Sequence, residues 1–391
     1  MELDFKYNRE KWMRRYPAVS DLSRRAKKRL PKIAWTYLNA GTGSEELIKK
    51  NISELSRLRF LPRICLGKME VRIDTKLFEK EYNAPFGIAP VGLTGLMWPK
   101  AEEYLVSTAC RYKIPFTLST VGTETPEKIG PMAGNMGWFQ LYPPREEKVR
   151  QSLIKRAKDA GFHTLVVTAD IPTPSRRESI KRAGLTMPPK ISSKMIWEGI
   201  KNPSWTFQTL KRGLPRLRTV EQYAKYNNIK FVSNMVGNRL GGTLSWEYCK
   251  NLKKEWGGPV ILKGIMDSED ALKAIDCGMD GIVVSNHGGR QFDGAPASIE
   301  VLPQITNRVK GQIKILFDGG VRTGLDIMRA LYLGADFVLL GRSFIYGVAA
   351  LGKYGGDHVT EILMEELKNN MTQCGVTSID EIRQLHPFRE S

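Results

Sequence analysis

Residues 314–342 read KILFDGGVRTGLDIMRALYLGADFVLLGR and place a strand, a helix and a second strand in direct succession. The runs KILF and FVLL are short, apolar and rich in strand-forming residues. Between them, GLDIMRALYLGA (324–335) has apolar residues at three- and four-residue spacing and ends at a Gly-Ala step, as an amphipathic helix does. Continuous apolar strands that alternate with helices predict a parallel sheet covered by helices.

The same alternation recurs along the chain and gives eight candidate strands. They are FGIAP (86–90), FTLS (116–119), GWFQLY (137–142), TLVVTAD (164–170), PVILKG (259–264), GIVVSN (281–286), KILFDGG (314–320) and FVLLGR (337–342). This pattern predicts an α/β fold, a (β/α)8 TIM barrel, which takes about 250 residues. We place the barrel in residues 81–391 and a helical cap in residues 1–80. The connection 171–258 is about three times longer than such a connection needs, which predicts a long inserted loop after strand four.

The composition narrows the class of protein. Of the 391 residues, 41% are apolar, which is enough for a substantial core. The five cysteines include no CxxC pair and the four histidines are far apart, so we expect a reducing, intracellular environment and no metal site. No apolar run reaches the roughly 18–20 residues that cross a bilayer, and the first residues lack the apolar core of a signal peptide.

Polar residues or glycines follow every candidate strand. In a barrel of this type the carboxyl ends of the strands converge on one face, where the chemistry takes place. A lone histidine such as His287 is more often a surface or core residue, but its place in this converging set favours a functional role. The set comprises Pro90, Val91, Gly92, Ser119, Gln140, Tyr142, Thr168, Asp170, Lys263, Ser285, His287, Asp318, Gly319, Gly320, Gly341 and Arg342.

The last two loops predict a phosphate site. DGGVRTG (318–324) and LGRSF (340–344) place glycines and the cations Arg322 and Arg342 after strands seven and eight, where such barrels commonly bind phosphate. Either loop alone is equally well explained as a tight turn. Together they favour a phosphorylated ligand.

Other charged residues indicate acid–base chemistry on a carboxylate. Arg177 and Arg290 suit a second anion, such as a carboxylate held by paired hydrogen bonds. Asp170 can orient His287 and stabilise its protonated form, as an acid–base histidine requires. Lys263 is compatible with three roles: a Schiff-base lysine, a charge partner for an anionic ring, or a salt bridge at the barrel mouth.

Five motifs together resemble the family of FMN-dependent 2-hydroxy-acid oxidases and dehydrogenases. They are FQLY (139–142), TADIPTPSRRE (168–178), LKG (262–264), SNHGGRQFD (285–293) and DGGVRTG (318–324), and the similarity extends from Asp21 to Met371. The resemblance implies a flavoenzyme that uses FMN to oxidise a 2-hydroxy acid to the 2-oxo acid. Within the family, GLTGLMWPK (92–100) and PSWTFQTLKRGLPRL (203–217) are most similar to the mandelate dehydrogenases, followed by the lactate dehydrogenases.

The resemblance also implies roles for the matching residues. His287 would take a proton from the substrate while Asp170 stabilises the imidazolium, and Lys263 would stabilise negative charge at the N1–O2 edge of the flavin. The substrate would be bound by Tyr37, Tyr142, Arg177 and Arg290, with the arginines on its carboxylate. The FMN would contact Pro90, Val91, Gly92, Ser119, Gln140, Thr168 and Ser285, with its phosphate on the loops 318–322 and 341–342. The motifs do not distinguish whether the α-hydrogen leaves as a proton or as a hydride.

Two positions depart from the oxidases of this family. Gly92 stands where many of them have alanine and resembles the dehydrogenases, which pass electrons to a carrier. Val121 replaces a tryptophan of the glycolate oxidases, which predicts a substrate larger than glycolate. We therefore predict an (S)-2-hydroxy-acid dehydrogenase of mandelate or lactate type with a quinone-type membrane acceptor; the alternative is an oxidase that uses O2 and produces H2O2. The family also implies a homotetramer.

The net charge of +19 is concentrated in residues 24–32 and 190–218. Neither stretch has a helix-turn-helix, zinc-finger or RNP-like pattern, so we expect no nucleic-acid partner. In the segment 187–218, Trp197, Trp205 and Phe207 lie among many cations and a single Glu, which favours an anionic lipid surface. We predict that this segment holds the enzyme peripherally on the cytoplasmic face of the cell membrane; the alternative is a solvated insertion.

Overall fold

The structure, a computed structural model, describes residues 8–184, 193–223 and 244–388. Its strands are β1 (Thr75–Leu77), β2 (Lys80–Tyr82), β3 (Phe86–Ile88), β4 (Phe116–Ser119), β5 (Gly137–Leu141), β6 (Thr164–Thr168), β7 (Val260–Ile265), β8 (Gly281–Val284), β9 (Lys314–Phe317) and β10 (Phe337–Leu340). Strands β3 to β10 run parallel and close into a barrel in which β10 pairs with both β3 and β9. The eight candidate strands are the strands of this barrel, so the predicted α/β barrel fold is confirmed.

Helices flank the barrel and precede it. They are α1 (Arg9–Arg15), α2 (Val19–Arg29), α3 (Lys32–Asn39), α4 (Glu46–Arg57), α5 (Thr94–Met97), α6 (Ala101–Tyr112), α7 (Pro126–Ala133), α8 (Glu147–Asp159), α9 (Glu178–Arg182), α10 (Ser193–Lys201), α11 (Pro203–Arg212), α12 (Arg218–Glu221), α13 (Trp246–Trp256), α14 (Ser268–Asp276), α15 (Ser298–Val309), α16 (Gly324–Tyr332), α17 (Arg342–Leu351), α18 (Gly355–Cys374) and α19 (Ile379–Ile382). Helix α2 buries Val19, Leu22 and Ala26, which share one helical face, and packs against α17. Helices α1 to α4 thus form a cap on the barrel.

A two-stranded antiparallel hairpin, β1–β2, closes the amino-terminal end of the barrel. The strand pattern of the sequence does not predict it, and it spans the boundary that we placed at residue 80. Leu77 and Tyr82 of the hairpin pack with Trp138 and Phe337, which lie near the starts of β5 and β10. The indole of Trp138 donates a hydrogen bond to the Tyr82 hydroxyl at 3.2 Å. This end of the barrel is therefore filled by apolar side chains.

The inserted connection after β6 carries α9 to α13, and the parts at 185–192 and 224–243 lie outside the described residues. Helices α10 and α11 pack on each other and expose Trp197 and Phe207. Trp205 differs from our expectation, because it is buried and its Nε1–H donates to the Leu96 carbonyl at 2.9 Å. A tryptophan held in this way cannot dip into lipid. Over the described residues, no helix combines the length and the apolar character needed to cross a membrane.

Candidate active site

The carboxyl ends of the barrel strands surround a cavity of about 480 Å³. Most of the predicted site residues line it: Tyr37, Pro90, Val91, Gly92, Gln140, Tyr142, Thr168, Arg177, Lys263, His287, Arg290, Asp318, Gly319, Gly320, Arg322, Gly341 and Arg342. Three others, Ser119, Asp170 and Ser285, lie behind this lining and hydrogen-bond to residues in it. The structure therefore brings the predicted set together in two layers.

His287 and Asp170 form a partly buried pair that joins the loops after β8 and β6. Nδ1 of His287 lies 2.9 Å from Oδ1 of Asp170, and the backbone N–H of His287 donates to the Ser285 hydroxyl at 3.0 Å. The backbone of His287 adopts φ 57°, a left-handed conformation that costs a non-glycine residue about 1–3 kcal/mol. The surrounding contacts hold this strained geometry, which turns the imidazole into the cavity.

In this pair the imidazole of His287 is neutral and the carboxylate of Asp170 is ionised. Burial lowers the pKa of His287, and the positive charges of Lys263 and Arg177 lower it further against the opposing effect of Asp170. Burial would raise the pKa of Asp170, but its interaction with His287, which includes the hydrogen bond, and the positive charge of Lys263 outweigh burial and hold that pKa below its usual range. Because the ionised Asp170 can only accept, Nδ1 carries the imidazole proton and Nε2 is left basic.

Lys263 is held at the end of β7 by Ser285 and Asp318. Its Nζ donates to the Ser285 hydroxyl at 2.8 Å and lies 3.0 Å from Oδ2 of Asp318. Burial would lower the pKa of Lys263, but the carboxylates of Asp318 and Asp170 outweigh it, so the pKa lies above its usual value and the ammonium stays charged. A paired cation is a poor nucleophile, so this geometry disfavours the Schiff-base role and favours that of a fixed positive charge.

Gly264 lets β7 approach Asp170 closely. Its φ of 107° lies in a region that side chains avoid, and a Cβ there would stand 2.5 Å from the Cβ of Asp170. The pairing register of β7 with β8 shifts at this point, between Lys263 and Ile265. The irregularity allows the strand to bring both Lys263 and the His287–Asp170 pair to the mouth of the barrel.

The amide of Gln140 is fixed between two neighbouring strands. Ser119 donates to its Oε1 at 2.8 Å, and its Nε2 donates to the Thr168 hydroxyl at 2.8 Å. All three side chains are buried. They form a polar row from β4 to β6 along one wall of the cavity.

Two partly buried arginines tie the cap to the barrel. Arg290 donates to the carbonyls of Tyr37 and Ala40, both at 2.9 Å, and Arg342 donates to the Leu38 carbonyl at 3.0 Å. These carbonyls belong to the carboxyl end of α3, where a helix leaves acceptors unpaired. Burial, reinforced by neighbouring arginines, lowers the pKa of Arg290 to about 9 and that of Arg342 to about 10. A ligand anion would relieve this concentration of positive charge.

The two phosphate-site loops differ in how their helices begin. Helix α16 starts with its own cap, since Thr323 accepts from the backbone of Asp326 and Asp326 accepts from the backbone of Thr323. Helix α17 starts after Gly341 and has no side-chain cap. Its amino terminus faces the cavity together with Arg322 and Arg342. The free N–H groups of α17 and the two guanidinium groups form the better anion site.

Arg177 reaches the cavity from the inserted connection. It adopts φ 42°, and its guanidinium donates to Ser175 at 3.0 Å and to Gln291 at 3.3 Å. Tyr142 lies nearby and is partly buried; the loss of contact with water raises its pKa well above its ordinary value, so the hydroxyl remains a hydrogen-bond donor. Tyr37 donates to the Gly92 carbonyl at 3.3 Å. Donors and positive charge are thus gathered on one part of the wall.

The rest of the wall is apolar, and the sequence motifs do not reveal most of it. One apolar part of the lining is formed by Leu93, Met97, Val121, Ile171, Ile180 and Leu217. Val121 is the one member that the sequence analysis singled out. The others lie in loops and short helices, where no strand-end position or charge marks them as site residues. Their proximity is a tertiary feature.

Comparison with known proteins agrees with this geometry. The family model described as FMN-dependent dehydrogenase matches residues 26–387. The structure of the monotopic membrane protein (S)-mandelate dehydrogenase superposes with a TM-score of 0.90 at 31% identity, covering 95% of this chain and 99% of that one. The crystal structure of mandelate oxidase superposes with a TM-score of 0.82 at 32% identity, covering 95% and 98%. A mandelate oxidase variant with (S)-mandelic acid gives 0.81 at 31% identity over 96% and 99%.

Proposed function

The chain belongs to the FMN-dependent dehydrogenase family. We propose that it oxidises an (S)-2-hydroxy acid with a bulky apolar side chain. We further propose that it passes the electrons to a quinone-type acceptor at a membrane. FMN-dependent oxidation of 2-hydroxy acids is supported by the family and by the neighbouring structures. The observation that carries this proposal is the His287–Asp170 pair, which faces a cavity that two partly buried arginines also line.

The donor set of the cavity fits FMN. The uncapped start of α17 with Arg322 and Arg342 suits the phosphate, and the charged Lys263 suits a ring that becomes anionic on reduction. The row Ser119–Gln140–Thr168 offers fixed polar groups to the ring edge. When bound, FMN supplies the two-electron acceptor for the substrate. The chain supplies binding, orientation and proton transfer.

The chain residues explain how a 2-hydroxy acid would be held. Arg290 and Arg177 would bind the carboxylate, and their charges are compatible with an anion because no carboxylate pairs with Arg290 among the described hydrogen bonds and ion pairs. Nε2 of His287 would accept the substrate proton. Asp170 would then stabilise the imidazolium through Nδ1.

The apolar wall supports a large substrate side chain. Val121 is smaller than the tryptophan that the glycolate oxidases have there, and Met97 and Leu217 extend the same apolar surface. An aromatic or branched group on C2 would bury itself against these residues, whereas the hydrogen atoms of glycolate would leave them exposed to water. We therefore favour mandelate-like substrates over glycolate.

The packing around Gly92 supports a dehydrogenase. A Cβ at position 92 would lie 2.6 Å from Cγ2 of Val121, so the alanine of many oxidases does not fit this pocket without displacing Val121. An oxidase that forms H2O2 remains the second candidate, because mandelate oxidases are also similar in structure. The two candidates differ only in what reoxidises the flavin.

The outer face of α10 and α11 supports contact with a membrane. Trp197, Phe207 and Leu210 are 57%, 65% and 78% exposed, and Nζ of Lys201 lies 5.1 Å from the centre of the Trp197 ring. Apolar rings beside lysines suit the headgroup region of an anionic bilayer. Arg212 and Arg216 pair with carboxylates and contribute less to lipid attraction than the sequence suggests. We infer peripheral association at the cytoplasmic face.

An anaerobic titration tests the substrate. Adding (S)-mandelate to the FMN-loaded enzyme should bleach the flavin absorbance, with L-lactate less effective and (R)-mandelate as the stereochemical control. Bleaching by none of a panel of 2-hydroxy acids would overturn the proposal. Equal efficiency for glycolate would contradict the inferred role of the apolar wall.

Rapid mixing tests the acceptor. After anaerobic reduction, a soluble quinone analogue should reoxidise the flavin much faster than dissolved oxygen does. Fast reoxidation by oxygen with release of H2O2 identifies the oxidase instead. Co-sedimentation with anionic vesicles tests the membrane contact separately, with zwitterionic vesicles as the control.

A further inference from the structure

Helix α11 has two faces with different partners. Phe207 and Leu210 point outward, whereas Trp205 and Thr209 are buried on the side of the barrel. The spacing of these pairs, three and four residues, places each on one side of the helix. The helix that carries the exposed apolar surface is thus also packed into the protein.

The buried face of α11 contacts α5, which forms part of the wall of the substrate cavity. The indole N–H of Trp205 donates to the carbonyl of Leu96 in the four-residue helix α5. A helix of one turn has carbonyls without internal partners, so Trp205 satisfies an acceptor that would otherwise be buried and unpaired. The residues on either side of Leu96, from Leu93 to Met97, include two that line the cavity.

Two further contacts connect α11 to the same wall. At its carboxyl end, Arg212 binds Glu103 and Glu124. The chain then reaches Leu217, which is buried and lines the cavity. Directly after α5, the ring of Trp98 lies 4.3 Å from the guanidinium of Arg29 in α2. Helix α5 and the residue that follows it are thus contacted by both α11 and α2.

We propose that Trp205 is a positioning residue that links the lipid-facing surface of α11 to the substrate pocket, so that an anionic bilayer bound to this surface tightens the binding of a 2-hydroxy or 2-oxo acid. This rests on the proposed membrane association. The physical basis is linkage: a surface contact that restricts α11 also restricts Met97 and Leu217, and a ligand packed on Met97 and Leu217 restricts α11 in return. The coupling acts in both directions with the same magnitude.

The test measures binding rather than turnover. The probe is benzoylformate, a 2-oxo acid that has no α-hydrogen to lose, and its Kd is read from the change in flavin absorbance of the FMN-loaded enzyme. Titrations are run without vesicles, with phosphatidylcholine vesicles and with vesicles that contain phosphatidylglycerol. We expect the anionic vesicles to lower the Kd about fivefold, at the lower end of typical coupling, and the zwitterionic vesicles to leave it unchanged.

Three variants separate the steps. Trp205→Phe keeps a buried ring but loses the hydrogen bond to Leu96, so it should still sediment with anionic vesicles, retain FMN and lose the vesicle effect on Kd. Trp256→Phe is the matched control, because the indole of this buried tryptophan has no hydrogen-bond partner among the described residues, and it should behave as the wild type. Phe207→Ser with Leu210→Ser should keep the vesicle-free Kd and lose sedimentation.

The outcomes distinguish this proposal from the function on which it rests. If the wild-type enzyme sediments with anionic vesicles but its Kd for benzoylformate does not change, only the coupling is contradicted. A vesicle effect that survives in Trp205→Phe also overturns the role of Trp205. Failure to sediment contradicts membrane association and, with it, the coupling, whereas failure of benzoylformate to bind contradicts the inferred pocket.

Discussion

The two ends of the barrel are built from the same strands but differ in chemistry. Within β5, Trp138 packs against the β1–β2 hairpin at the amino-terminal end, and Gln140, two residues later, lines the cavity at the carboxyl end. Residues two apart on a strand point to the same side, so both side chains enter the barrel interior. The first meets aromatic rings and the second meets polar groups.

The amino-terminal end of the barrel thus mainly stabilises the fold, whereas the carboxyl end is built for function. The amino-terminal end buries Leu77, Tyr82, Trp138 and Phe337, which are apolar or satisfied by a hydrogen bond. The carboxyl end holds partly buried cations beside one another and keeps His287 in a left-handed conformation. Burial of apolar surface stabilises the fold, whereas buried like charges and strain reduce stability and are retained for a ligand.

The largest expected effect is that of His287→Gln at the carboxyl end. The amide cannot act as a base, so the rate of flavin reduction by the hydroxy acid should fall about 10³-fold or more. FMN content should stay normal, because the groups that suit the phosphate, Arg322 and Arg342, are unchanged. Anaerobic stopped-flow reduction and the bound-flavin spectrum measure the two quantities. A near-normal rate would show that the base is another residue.

An intermediate effect is expected at the opposite end from Trp138→Ala. Removing this fully buried indole should lower the free energy of unfolding by about 3–5 kcal/mol, while flavin reduction in the folded protein stays near that of the wild type. Urea denaturation followed by circular dichroism gives the first quantity and stopped-flow reduction the second. Trp138→Phe, which keeps most of the volume, is the milder control. Intact stability with lost reduction would contradict the division between the two ends.

The smallest effect is a shift of pH dependence in Asp170→Asn. His287 must be neutral to accept a proton, and burial lowers its pKa. The second-order rate constant of flavin reduction should therefore increase with pH below 6.5, which is the acid limb of the profile, and be constant at neutral pH. Asp170 opposes this lowering, so its neutralisation should move the limb to still lower pH, beside a loss of rate. A limb that moves to higher pH would contradict the assigned pair.

The matched control for that shift is Asp293→Asn. This carboxylate belongs to the same motif as His287, SNHGGRQFD (285–293), but it accepts from the backbone of Ser44 and Leu47 and does not touch the imidazole. The acid limb of the pH profile of Asp293→Asn should lie at the same pH as that of the wild type. A shift as large as that of Asp170→Asn would indicate a general charge effect.

The sequence by itself determined the barrel and the composition of its active face. Eight apolar runs with helices between them define the fold, because strand and helix periodicities are local. The site residues at the strand ends followed from position alone, since the carboxyl ends of parallel strands meet on one face. Thus His287, Lys263 and Arg342 could be expected in one cavity before any distance was known.

Only the tertiary structure decided what surrounds these groups. The β1–β2 hairpin, the apolar wall with Met97 and Leu217, and the burial of Trp205 all depend on segments that are distant in the chain. Sequence analysis put Trp205 with the exposed aromatics, because a tryptophan among cations has the same local pattern whether its indole meets lipid or a carbonyl. The packing of α11 on α5 decides which of these partners the indole has. Contacts between segments that are distant in the chain produce no periodic pattern in the sequence, so the sequence could not predict this one.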